Sequence, residues 1–331
     1  MVSLGVVGAG LIGGSICKSL RAAGNPNIVV FSPSDSTRDE VRNDGFAVVE
    51  SVHELVATAD VVFVCVPLNV QMKVFREIAD AITSLSRTSV IVTDVSSVKG
   101  EEAAEAIAMF AGLGASFIPG HPMAGTEFTG FTASTSDMFH DATWVLCPEN
   151  APTDVLADLV QLVLSTGAKV SLLDVESHDA AVGAISHLPY VVAAALANVV
   201  GHENNQQVAL RLAAGSFRDG TRVAGSEPWL SSSMVTFNRA EVLRLLSQFQ
   251  NQIEMMATAI NSEDDAGVLA AFQCAQNVRR DYEAAKSSAN QRSVQWDISS
   301  AVQNALNECR GGTLISSLSI DSNGWVATIE D

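Results

Sequence analysis

The run Gly8-Ala9-Gly10-Leu11-Ile12-Gly13 follows directly on the short apolar stretch Val2-Ser3-Leu4-Gly5-Val6-Val7. A strand, a glycine turn and a helix start in this order make a dinucleotide site. Gly8 permits the tight turn, Gly10 lets backbone approach a pyrophosphate, and Gly13 lets the helix pack on the strand. Leu11 and Ile12 open a helix whose free N–H groups and positive dipole end would face the phosphates. Val66 and Pro67, where the apolar run Ala59–Val66 turns outward, are expected to pass over the same nucleotide.

The second strand decides which nicotinamide cofactor is bound. An acidic residue at its end ordinarily holds the ribose 2′-OH of NAD. Here the strand ends Val30-Phe31-Ser32-Pro33-Ser34-Asp35-Ser36-Thr37-Arg38, with Ser32 at the carboxylate position. Arg38, with Ser32, Ser34 and Ser36 around it, suits a 2′-phosphate, because a guanidinium matches phosphate geometry. NADP is therefore favoured; NAD stays open, since Asp35 offers another route to the ribose.

Three further polar blocks are hard to explain as packing. Thr93-Asp94-Val95-Ser96-Ser97-Val98-Lys99 lies just past a strand's carboxyl end, where open α/β sheets place their ligands, and Asp94 is expected at the cofactor. Gly120-His121-Pro122-Met123-Ala124-Gly125-Thr126-Glu127 puts a histidine and a glutamate in one loop bracketed by glycines. The third block joins Ser186-His187-Leu188-Pro189 to Phe217-Arg218-Asp219-Gly220-Thr221-Arg222.

With these blocks the chain resembles the TyrA family of prephenate and arogenate dehydrogenases. GAGLIGGS at 8–15, DVSSVK at 94–99, PGHPMAGTE at 119–127, SHLP at 186–189 and RDGTR at 218–222 carry the resemblance, which covers about residues 1–260. It implies an oxidative decarboxylation. The C4 hydroxyl of a cyclohexadiene loses its proton, C4 gives hydride to NAD(P), and the ring carboxylate leaves as CO2.

Such a reaction needs a base near the hydroxyl, and an imidazole suits it. The resemblance puts His121 in that role and has Ser97 hydrogen-bond the same hydroxyl or orient the ring. Substrates of the family carry two carboxylates, so a buried cation is implied, and Arg222 is its candidate; Arg218 is instead expected to pair with Asp219. Thr126, Glu127, His187 and Tyr190 are the remaining candidates for substrate contact. Many prephenate-using relatives carry a second histidine after SHLP, and this chain has Tyr190 there, which moves weight toward arogenate. Two other readings stay open: a β-hydroxyacid dehydrogenase of the 6-phosphogluconate superfamily, which wants a catalytic lysine, and a non-catalytic NADP-sensing protein, which needs no base.

The elements that must hold these residues are legible as β-rich runs at Leu4–Val7, Ile28–Phe31, Val61–Val66, Ser89–Thr93, Ser116–Pro119, Trp144–Cys147 and Lys169–Leu173, separated by helical stretches. Such alternation gives an α/β fold, an N-terminal Rossmann-type doubly wound and mostly parallel sheet, over residues 1–172. Long helices at 175–201, 204–213, 234–262 and 264–286 then make an all-helical substrate and dimerisation domain, 173–290. Leu243, Leu246, Phe249, Ile253 and Met256 repeat at helical spacing, as a core face or a homodimer face. The extension 291–331 reads as a hairpin turning at Asn323-Gly324, too short for an appended regulatory ACT domain.

Composition narrows the partners. A net charge of −18 and a pI near 4.6 exclude a phosphate-backbone binder, so no nucleic-acid partner is expected and any anionic substrate must meet locally placed cations. The five cysteines are scattered without a CxxC pair, so neither disulfides nor a metal site is suggested and a cytoplasmic location fits. No basic flank precedes the first apolar segment and no apolar run reaches bilayer length, so neither a signal peptide nor a membrane partner is expected.

Overall fold

The structure, a computed structural model, describes residues 2–126, 128–287 and 290–331. The chain divides into two compact units, one of residues 1–178 with 291–330 and one of 179–290 with the last residue. Glu127 lies outside the described residues.

The first unit opens β1 (Leu4–Val7), α1 (Leu11–Ala22), β2 (Ile28–Phe31), α2 (Asp35–Asn43), β3 (Ala47–Val48), α3 (Val52–Thr58), β4 (Val61–Val64), α4 (Leu68–Leu85), β5 (Ile91–Asp94), α5 (Gly100–Gly112) and β6 (Ser116–Ile118). These strands form one sheet in the order β3-β2-β1-β4-β5-β6, and every pairing is parallel. That is the doubly wound dinucleotide order, with its switch point between β1 and β4. β1, β4 and β5 are buried along their whole length, as strands of a parallel sheet covered on both faces must be, even though β5 ends in the polar pair Thr93-Asp94.

One sheet was expected to take all the strands of this domain, and there are two. After Ile118 the chain steps across Pro119 and starts a second sheet with β7 (Gly120–Pro122), β8 (Thr143–Leu146), α6 (Thr153–Leu164) and β9 (Lys169–Leu172). α7 (Val175–Val182) then leads out of the unit, and the chain returns as β10 (Gln291–Asp297), α14 (Ala301–Arg310), β11 (Leu314–Asp321) and β12 (Gly324–Glu330). The second sheet runs β10-β12-β11-β9-β8-β7. The β11–β12 hairpin turns at Asn323-Gly324, and Ile315 pairs with Val170 of β9, so the C-terminal extension is part of the first unit. Trp144, Trp325 and Phe139 are fully buried in the core shared by both sheets, α6 and α14.

The second unit is helical, with α8 (Leu188–Gly201) following a single π-turn over Gly183–His187, then α9 (Gln206–Leu212), α10 (Gly215–Thr221), α11 (Pro228–Phe237), α12 (Arg239–Asn261) and α13 (Asp265–Ser287). The expectation that no run reaches bilayer length is corrected: Val175–Gly201 is long and apolar enough by length and composition alone. The stripe on α12 is also not core. Leu243 is 60% and Ile253 50% exposed, and only Val242 and Leu245 of that helix are buried.

Candidate active site

The glycine turn has the geometry its spacing implied. Gly8 has φ +93°, a left-handed conformation open to glycine, and a Cβ on Gly13 would lie 2.0 Å from the Gly8 carbonyl oxygen. Gly10 differs, because a Cβ there would meet no atom within 4 Å. Gly10 is also the N-cap of α1 and offers no side-chain cap, whereas Ser34 caps α2 and Ser51 caps α3. The N-terminal N–H groups of α1 thus have no side-chain cap among the described residues, and Leu11 and Ile12 are half-buried. A dinucleotide pyrophosphate fits this cradle. Val66 is half-buried and Pro67 exposed at the start of α4, beyond the end of β4.

Ser32 is buried, and its hydroxyl accepts a hydrogen bond from the Ser34 N–H at 3.4 Å. Arg38 is partly spent: Nη1 donates to the Ser32 carbonyl at 2.7 Å, Nη2 pairs with Asp35, and Glu50 lies 3.6 Å from Nε. A 2′-phosphate at this guanidinium would have to displace those carboxylates.

Asp94 departs from its expected role. One of its oxygens accepts from the Gly120 N–H and from Lys99, each at 2.9 Å. The other accepts from Gln71 at 2.8 Å, from the Ser96 N–H at 3.1 Å, from the Ser96 hydroxyl and again from Lys99 at 2.7 Å. With only 2% of the residue exposed, both oxygens of this carboxylate are taken up by protein donors. Lys99 is equally enclosed and also donates to the Gly120 carbonyl at 2.6 Å. It ties the DVSSVK block to the strand carrying His121.

The two serines of that block have separate fates. Ser96 gives its hydroxyl to Asp94 and the Val98 carbonyl, while the half-buried Ser97 hydroxyl has no hydrogen-bond partner among the described residues.

His121 sits on β7 and not in a loop, paired across the ladder with Val145. Its Nδ1 lies 2.9 Å from Nε2 of His178 on α7. His178, fully buried, has no signal in the sequence, because the contact joins residues far apart in the chain and neither flank forms a motif with the other. Thr126 is exposed, its hydroxyl accepting from the Phe128 N–H at 3.2 Å.

In the helical unit His187 closes the π-turn and is fully buried, with Nδ1 3.0 Å from the Asn238 amide nitrogen, which also donates to the Asp179 carbonyl at 2.8 Å. Asn238, also absent from the sequence-based candidates, thus fixes His187 in that unit. Tyr190 is half-buried on α8. Arg222, expected buried, is exposed on a 3₁₀ turn and makes no ion pair among the described residues, whereas Arg218 pairs with Asp219 at 3.1 Å on the surface.

Known proteins resemble this chain in sequence and fold. The family described as prephenate dehydrogenase, nucleotide-binding domain, matches residues 16–172, and its dimerization domain matches 174–274. The cyclohexadienyl dehydrogenase of Zymomonas mobilis is 31% identical over 83% of this chain and 94% of its own. The crystal structure of Synechocystis arogenate dehydrogenase superposes with a TM-score of 0.74 at 30% identity, covering 85% of this chain and 99% of that one. Prephenate dehydrogenase from A. aeolicus, solved with hydroxyphenyl propionate and NAD+, gives 0.75 at 25% identity over 85% and 98%. With both of its domains matched over most of its length, the chain belongs to the prephenate dehydrogenase family.

Proposed function

We propose that this protein catalyses the oxidative decarboxylation of prephenate or arogenate, with hydride transfer to NAD(P), in the tyrosine branch of aromatic amino-acid biosynthesis. The observation that carries the reading is His121, anchored through Nδ1 by a buried partner on a strand that Lys99 holds beside the Ser97 loop. His121 takes the proton of the C4 hydroxyl, and Ser97 donates a hydrogen bond to that oxygen. NAD(P), held at the glycine turn of residues 8–13, would supply the acceptor for the hydride that leaves C4. The electron pair of the bond to the departing carboxylate enters the ring, CO2 leaves, and His121 returns its proton to the new phenol oxygen. Aromatisation makes the sequence irreversible.

The exposed guanidinium of Arg222 is assigned to a substrate carboxylate, which it can bind bidentately. Ser32 in place of an acid supports NADP over NAD, with Arg38 exchanging Asp35 and Glu50 for the 2′-phosphate. The apolar residues left exposed on α12 and the match to a dimerization domain support a homodimer through the helical unit. Five free cysteines fit a reducing cytoplasm. Family membership leaves no place for the β-hydroxyacid alternative.

The test is a spectrophotometric assay of the purified protein with prephenate and arogenate, each against NAD and NADP. Turnover of at least one pair is expected, and none with any of the four pairs overturns the proposal. His121→Asn should lower kcat by a factor on the order of 100 to 10,000 with cofactor affinity kept. Unchanged turnover would remove His121 from the chemistry.

A further inference from the structure

We infer that His178 is the positioning residue for His121, selecting the tautomer and fixing the rotation of the imidazole that takes the substrate proton. The inference rests on the reading of His121 as the base. The two rings stand nearly perpendicular, with centroids 5.1 Å apart and an interplanar angle of 76°, and Nδ1 of His121 faces Nε2 of His178 at 2.9 Å. Between two neutral imidazoles at that separation, one nitrogen donates and the other accepts.

The two arrangements are not chemically equivalent. If His178 donates from Nε2, neutral His121 carries its own hydrogen on Nε2 and has no lone pair there for a hydroxyl proton. If His121 donates from Nδ1, its Nε2 presents the lone pair, and His178 carries its hydrogen on Nδ1. General-base chemistry selects the second arrangement. Once His121 holds the substrate proton, the Nδ1–H to Nε2 bond becomes charge-assisted and stronger, so the contact favours the transition state over the ground state.

His178 is built to stay in place. It is fully buried, and its backbone N–H donates to the Asp174 carbonyl at 3.0 Å. Asp174 in turn caps the first turn of α7 through the Ser177 N–H at 2.7 Å and pairs with Arg310 of α14 at 2.7 Å. A carboxylate in the place of His178 would select the same tautomer, as in the serine-protease triad. It would also bring a fixed negative charge to a site that must admit a substrate with two carboxylates, and a neutral imidazole avoids that repulsion.

The experiment compares wild type, His178→Leu and His178→Gln, by steady-state kinetics and by 15N NMR of histidine-labelled protein. Leucine removes the acceptor and keeps the bulk, whereas the glutamine oxygen can still accept. His178→Leu should lower kcat about 100-fold with KM within about twofold, less than the roughly 10,000-fold loss from the wrong tautomer in a protease triad. His178→Gln should recover most of that loss. Wild-type spectra should show His178 protonated on Nδ1 and His121 on Nδ1, and His178→Leu should lose the second signature. Normal kcat in His178→Leu, equal damage in both variants, or a wild-type His178 protonated on Nε2 would each overturn the inference. The tautomer spectra need no turnover, so they still decide it if the leucine variant fails to fold, and failure of the wild-type assay separately indicts the proposed function.

Discussion

The Lys99 ammonium lies 2.7 Å from the Asp94 carboxylate and 2.6 Å from the Gly120 carbonyl, so one buried cation joins the end of β5 to the residue before His121. Both side chains are almost wholly enclosed, at 1% and 3% exposure. Removing the lysine would leave the Asp94 carboxylate buried without the cation that faces both of its oxygens.

Lys99→Met is therefore expected to destabilise the first unit by about 3–5 kcal/mol, the usual result of breaking a buried pair from one side. Urea denaturation of wild type, Lys99→Met and the double variant Lys99→Met/Asp94→Asn measures it. The double variant should recover part of the loss, because it removes the stranded charge. An unchanged midpoint in the single variant would show that Gln71, Ser96 and the Gly120 N–H satisfy Asp94 without the lysine.

The glycines of the first turn should separate by the assay used. Gly13→Ala forces a Cβ to 2.0 Å from the Gly8 oxygen, so it should lower the thermal midpoint of the protein without nucleotide. Gly10→Ala meets no protein atom within 4 Å, and that midpoint should not move. Its damage should appear as a cofactor Kd raised about tenfold or more, or about 1.4 kcal/mol. If Gly10→Ala binds nucleotide normally, the pyrophosphate does not approach this turn.

Cofactor choice turns on Arg38. Arg38→Ala should weaken NADP by about 1–3 kcal/mol, the worth of a charge-assisted pair, and leave NAD nearly unchanged. The complementary Ser32→Asp should favour NAD by supplying a ribose acceptor and repelling phosphate. Calorimetric titration with both nucleotides decides between this and a structural role. Because Arg38 also donates to the Ser32 carbonyl, equal loss of both cofactors would mean that it only holds the β2–α2 turn.

Asp174 makes the docking of the C-terminal extension sensitive to acid. Partial burial pushes its carboxyl up, but hydrogen bonds from the Ser177 N–H, Arg310 and the Ser177 hydroxyl outweigh that and bring it down from 3.8 to about 2. A carboxylate lowered by folding contributes stability that is fully present above its unfolded value and is lost as pH falls through the folded one. The difference in denaturation midpoint between wild type and Asp174→Asn should thus be largest above about pH 4 and vanish toward pH 2. A difference constant over that window would show that the carboxylate charge contributes nothing there.

What the sequence determined by itself was local. Glycine spacing set the turn at 8–13, β-rich runs marked the strands β1, β4 and β5, and Asn323-Gly324 marked a hairpin, because each depends on residues within a few positions of one another. Tertiary structure decided the rest. Nothing near Pro119 announces that β6 and β7 belong to different sheets, or that Ile315 will pair with Val170. Asp94 and His121 stood in equally polar blocks, and only folding showed that one is consumed by a buried lysine while the other meets His178 from 57 positions away. Charge and hydrogen-bonding capacity are written in residue type, but whether they are spent on the protein or left for a ligand depends on which distant groups packing brings within about 3 Å and shields from water.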